Sequence, residues 1–214
     1  MSNSEISYIA LDTEAAGNRL GHHATLSLGA CLVARDLPEF DLANKNELIF
    51  YTELQPESLE FVIEAMRVGC SHLKCLDEVK SQDSRYDTLS GEFEPELVLR
   101  LMQEKCEEPV TAMKRFRKWI ESVSEGNAVE GVTDTVFFDG GRVDLLFGTT
   151  STEASPFGWT GLDLDSFYRG HAGENAKISA LGVPDNRAKP HRADHDAHLL
   201  AQVAQKLLFN KCGW

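Results

Sequence analysis

Three early stretches of the chain, Ser7–Thr13, Thr25–Val33 and Leu48–Leu54, are dominated by apolar and β-branched positions, with Gly17, Gly21 and Pro38 punctuating the connections. Runs of this kind bounded by turn residues predict strands, here a meander or hairpin sheet. Phe61–Val68 predicts a short helix and Val110–Val123 a longer one, because Met113, Phe116 and Ile120 fall on one face at helical spacing. Between them, Lys80–Glu94 is polar and is followed by Pro95, which predicts a long, mobile loop. Thr135–Phe138 predicts a fourth strand, Val143–Phe147 the opening of a short helix, and Thr160–Leu164 a short fifth strand. From about Ala193 a last helix is expected, with Asp196, Leu200, Val203 and Leu207 recurring on one side, so that the Asp196 carboxylate shares the apolar stripe. The order of elements predicts an α/β or α+β fold, a mixed β-sheet flanked by α-helices.

At 214 residues the chain is expected to form one domain over 1–214 whose core needs no disulfides. No apolar run approaches the roughly 20 residues that cross a bilayer, and the start MSNSEISYIALD lacks the basic and apolar regions of an export signal. The five cysteines are odd in number and irregularly spaced, which argues for a reducing compartment, and the expectation is a cytoplasmic protein. Cys70, His72 and Cys75 could form half a metal site, but no second Cys/His pair completes it, and small buried thiols are the alternative. A net charge of −13 works against a tight grip on long nucleic acid, since Lys and Arg supply most of that binding. It leaves room for carboxylates whose bound cations reverse the local sign, and it favours short substrates or a local basic strip. Lys114, Arg115, Arg117 and Lys118 read as a solvated helix face.

Asp12 and Glu14 close the first strand, and the two-residue repeat of a strand points both to one face. Without a cation they repel and raise each other's pKa; the readings are a metal-binding pair or two solvated acids. At the other end, His191-Arg-Ala-Asp-His-Asp196 places a histidine just ahead of a helix and a carboxylate in its first turns. Asp194 there suits the helix dipole, whereas Asp196 on the buried stripe needs a metal or partner to offset its charge. His191, His195 and His198 at helical spacing raise the alternative of a zinc hydrolase. That reading lacks the HExxH pattern and leaves Asp12 and Glu14 unexplained, and surface histidines account for His195 and His198 equally well.

LDTE at 11–14, the acid within VDLLF at 143–147 and HRADHD at 191–196 together resemble the three motifs of the DEDDh exonuclease superfamily, which includes ribonuclease T, oligoribonuclease and the proofreading subunit of DNA polymerase III. LSLGA at 26–30, FYTELQP at 50–56, EAMRVG at 64–69 and PFGWTGLDLDSFYRG at 156–170 are similar to a bacterial branch of that superfamily, leaving 77–94 as a loop insertion. The resemblance implies a ribonuclease H-like fold and metal-dependent 3′→5′ hydrolysis of terminal phosphodiesters at the 3′ ends of single-stranded RNA or DNA. By position, Asp12, Glu14, Asp144 and Asp196 would hold two Mg²⁺ or Mn²⁺ ions and His191 would be the general base. Hard cations prefer such oxygen ligands, and a pair about 3.5–4 Å apart stabilises both attacking and leaving oxygens.

The family's Asn and Phe around the middle acid are replaced here by Phe138-Asp139-Gly140-Gly141-Arg142-Val143-Asp144. Asp144 is preferred because Asp144-Leu-Leu-Phe147 matches an acid followed by an apolar helix start, and Asp139 is its rival. Thr13, Ala15, Arg142, Arg187 and Arg192 are the expected substrate contacts, with Lys189 in the same basic loop, and Asp163 is expected to support the site without binding metal. The alternative is a degenerate exonuclease fold kept as a nucleic-acid-binding or protein-interaction module. The resemblance also suggests a homodimer and gives no reason to expect a membrane partner.

Overall fold

The structure is a computed structural model in which residues 6–40 and 47–211 are described. Strand β1 (Ile6–Ala15) carries Ile9, Ala10 and Leu11, all buried, as expected of a central strand covered on both faces. It pairs antiparallel with β2 (Thr25–Leu32), which pairs antiparallel with β3 (Ile49–Glu53). On its other side β1 runs parallel to β4 (Ala128–Thr133), and β5 (Gly161–Asp163) adds a short parallel edge, giving the order β3-β2-β1-β4-β5.

Helices cover both faces. On one, Leu164 and Tyr168 of α5 (Leu164–Ala172) and Ala197, Leu200 and Ala201 of α6 (Ala193–Gln205) pack with Ala10, Cys31 and Val132. On the other, Phe116 and Ile120 of α3 (Pro109–Ser124) and Phe147 of α4 (Gly141–Thr150) pack on Ile9, Leu11, Leu28 and Ala30. A third cluster joins α1 (Ile63–Gly69) and α2 (Pro95–Lys105) through Met66, Leu73, Leu99 and Met102. Among the described residues no helix is long and apolar enough to cross a membrane.

Gly29 on β2 decides where α6 can begin. A Cβ there would lie 2.0 Å from the Ala193 carbonyl oxygen, so only glycine lets the first turn of α6 rest on the strand opposite Asp12. Gly29→Ala should therefore destabilise the protein by at least about 1–3 kcal/mol, the cost of overpacking, read as a lower urea midpoint at unchanged slope.

The fourth strand is Ala128–Thr133, not Thr135–Phe138. Residues Val136–Gly140 coil into a wide helical turn that runs directly into α4, and the Phe137 side chain is 93% exposed where a strand would have to pack it. The true strand escapes a periodicity search because Glu130 and Gly131 interrupt its apolar run. Two helices also went unread: α2, with Pro95 at its start and Val98, Leu99 and Met102 buried, and α5, whose first turn is capped by Asp163 accepting from Ser166 N at 2.7 Å. The 80–94 segment is folded onto the body. It contains a short 3₁₀ turn, Ser84–Tyr86, capped by Asp83; Phe93 is buried, with the Arg67 guanidinium 5.1 Å over its ring.

Candidate active site

Asp12 and Glu14 lie on β1, Asp139 in the turn before α4, and Asp196 in the first turn of α6 with His191 just ahead of it. Asp139 is fastened to β1, because Thr13 donates to its Oδ1 from both backbone N (2.9 Å) and Oγ1 (2.7 Å), while the Thr135 hydroxyl donates to Oδ2. Asp12 Oδ2 is buried and has no hydrogen-bond partner. Such an orphaned acceptor carries a desolvation cost that needs a compensating ligand. On the far side of Glu14, ligand-capable atoms of Glu14, His191 and Asp196 lie within 4.8 Å of one another. Asp196 Oδ2 accepts from His191 N at 3.1 Å, and Oδ1 pairs with Arg187 Nη1 at 2.9 Å. His191 is solvent-exposed and holds a φ of 61°, a left-handed backbone uncommon for a residue with a side chain.

The electrostatics follow from this crowding. Asp12 is held well above the usual carboxylate range by burial first, then by the charges of Asp139, Glu14, Asp196 and Asp134. Glu14 is pushed up to about 8 by burial, then by Asp196 and Asp139. Burial also raises Asp139 and Asp196, although hydrogen bonds from Thr135 and Thr13 oppose the rise in the first and Arg187 opposes it in the second. Four carboxylates that resist ionising together, one with an unpartnered buried oxygen, are the donor set that divalent cations fit.

This arrangement predicts how stability depends on pH. A carboxyl whose folded pKa is raised binds more protons folded than unfolded, so its stabilisation is present below the unfolded pKa and lost as pH rises through the folded one. For Glu14 that window runs from its ordinary 4.5 to about 8. In EDTA the melting temperature should fall across this range, and Mg²⁺ or Mn²⁺ should remove most of the fall. Equal slopes with and without metal would mean that the acids do not hold it.

The structure does not bring every sequence-derived residue to this place. Asp144 is exposed on α4, beside Phe137 and Trp159 in the wall of a separate cavity of about 350 Å³, while Asp139 takes the position next to Asp12. Arg142 is buried and donates to the carbonyls of His23 (3.0 Å) and Gly17, with its guanidinium 4.5 Å over the Phe138 ring, so it ties the 17–23 loop to α4. Arg192 is likewise buried, paired with Asp194 at 2.8 Å and 5.0 Å over Tyr51. Thr13 spends its donors on Asp139, and Ala15 is buried. Of the five expected substrate contacts, Arg187 alone carries a charged side chain to the acids.

The zinc alternative does not assemble either. His195 and His198 are buried, not on the surface: the His195 ring lies 4.0 Å from that of Phe40, and His198 Nε2 is 2.9 Å from the Pro38 carbonyl. Asp163 caps α5 by accepting from Ser166 N and has Oδ2 3.5 Å from Val136 N. Two residues of the site were not anticipated, Thr135, which orients Asp139, and Asp134, whose charge bears on Asp12. Their signal was the polar Thr-Asp-Thr just ahead of the Asp139 turn.

No family model matches the chain. It is 27% identical over 203 residues, 92% of this chain and 88% of the relative, to the 3′-5′ DNA exonuclease Cap18 of Escherichia coli. In structure it is similar to the nuclease domain of 3′hExo, a DEDDh family member bound to rAMP, with a TM-score of 0.63 at 13% identity over 99% of this chain and 96% of that one. It is also similar to the zinc-bound complex of E. coli exonuclease I with single-stranded DNA, with a TM-score of 0.59 at 11% identity over 97% of this chain and 41% of that one. These likenesses bear out the ribonuclease H-like fold and the resemblance to DEDDh exonucleases.

Proposed function

We propose that this chain is a divalent-metal-dependent exonuclease that removes nucleotides from the 3′ ends of short single-stranded nucleic acids. Asp12, Glu14, Asp139 and Asp196 would hold two Mg²⁺ or Mn²⁺ ions, and His191 would serve as general base. The observation that carries the reading is the convergence of four mutually repelling carboxylates, one with an orphaned buried oxygen, beside an exposed histidine. The Cap18 relative, spanning most of both chains, supports the same activity.

When bound, the ions would supply Lewis acidity to the scissile phosphate and lower the pKa of the attacking water. The chain's own residues divide the remaining work. Thr13 and Thr135 keep Asp139 turned toward Asp12. His191, at the exposed rim and tethered to Asp196 through its backbone, takes the proton. Arg187 pairs with both Asp196 and Asp185, and its guanidinium would be the charged group beside the acids available to an incoming phosphate. The convergence of four carboxylates beside an exposed histidine supports the enzyme over a degenerate, purely binding module. The net charge of −13 disfavours long polyanions and points to short strands.

A 5′-labelled single strand should shorten as a ladder in Mn²⁺ or Mg²⁺ and stop shortening in EDTA, while a circular strand resists. Cleavage of the circle, or full activity after chelation, would sink this reading. RNA and DNA versions of one sequence, run side by side, assign the sugar preference.

A further inference from the structure

A second cluster lies on the outer edge of the sheet and has no part in the chemistry above. Glu53 ends β3, Cys75 sits in a 3₁₀ turn (Lys74–Leu76), and Cys106 closes the C-terminal end of α2. Their carboxylate oxygen and two sulfurs lie within 4.8 Å of one another. In the strand ladder Glu14 faces Ser27 and Ser27 faces Glu53. Two strand spacings of about 4.7–4.9 Å therefore separate this cluster's backbone from that of Glu14.

From this juxtaposition we infer that Glu53, Cys75 and Cys106 form a binding site for one Zn²⁺ ion, independent of the catalytic metals. Two thiolates select a soft, tetrahedral cation over Mg²⁺, and three protein ligands leave its fourth position to water. The carboxylate is already oriented as a ligating one should be: Glu53 Oε1 accepts from Tyr51 OH at 2.6 Å and Lys74 N at 2.5 Å, and Oε2 accepts from Cys75 N at 3.0 Å. The backbone supporting the ligands is fixed as well, since Glu107 N donates to Glu53 O at 3.0 Å and Cys106 N to Met102 O at 2.9 Å. The cluster opens to solvent through a cleft of about 580 Å³, which gives the ion a way in.

Hydrogen bonding with Cys106, then burial, holds the Cys75 thiol above its ordinary range. Ligation of Cys75 to Zn²⁺ as a thiolate would release its proton to solvent. The consequence is structural. Cys75 stands just before the 77–94 segment and Cys106 just after α2, so one ion would pin both ends of the stretch between them to β3 and shorten the loop that the unfolded chain can explore.

The test uses the full chain, stripped with EDTA, desalted and titrated with Co²⁺ as a coloured stand-in for Zn²⁺. One equivalent should produce thiolate-to-cobalt charge-transfer absorption, and Zn²⁺ should abolish it. Cys75→Ser and Cys106→Ser should each remove the band, and Cys31→Ser, whose thiol is buried in another core cluster, should keep it. Should either serine variant fold poorly, the wild type decides: Zn²⁺ should shield two thiols from a disulfide reagent. The proposal is overturned if cobalt binds without a sulfur band, if the band survives the double substitution, or if the pair is found oxidised to a disulfide, with the mass lower by two hydrogens. None of these readouts depends on nuclease activity, so failure of the catalytic reading would leave them intact.

Discussion

Asp139→Asn is expected to cut exonuclease turnover by about 10²-fold or more, because disturbing even the outer partners of a metal site costs about 10–100-fold. Asp144→Asn should stay within about twofold of wild type, as surface substitutions usually do. The difference rests on position: Asp139 takes two hydrogen bonds from Thr13 and its charge presses on Asp12, while Asp144 stands exposed on α4. Isothermal titration with Mn²⁺ should show weakened binding for the first variant and unchanged binding for the second. Loss of activity in Asp144→Asn alone would restore the assignment that the Asp-Leu-Leu-Phe pattern suggested.

Removing the His191 side chain should lower turnover by about 10²–10⁴-fold, the contribution of a positioned general base, while leaving Mn²⁺ affinity near the wild-type value. Asp196→Ala should lose both. The histidine's ring reaches the same small volume as Glu14 and Asp196, so metal affinity is the discriminating measurement. A fall in Mn²⁺ binding in His191→Ala would make it a ligand, and unchanged turnover would remove it from the mechanism altogether.

Local pattern carried much of the architecture. The antiparallel strands β1 to β3 and the amphipathic helices α3 and α6 follow from apolar spacing, which is written within each segment. Asp12, Glu14, His191 and Asp196 were legible because each sits at a defined point of a strand or helix start, where side-chain direction follows from backbone geometry. What stayed hidden was decided by contacts between distant residues. Strand β4 is recognisable by its parallel pairing with β1, which makes alternation unnecessary. Arg142 and Arg192 read as solvated cations until the fold wraps carbonyls, a carboxylate and aromatic rings around them. The choice between Asp139 and Asp144 rests on hydrogen bonds that span 126 residues of sequence. Likewise Cys75, which looked like half a site with Cys70 and His72, meets its partners Glu53 and Cys106 only when β3 and α2 are brought together. Local pattern shows which chemistry-bearing residues the chain owns and which way each segment turns them; which of them meet follows from the fold, because a carboxylate's neighbours, burial and charge depend on segments that no local pattern connects.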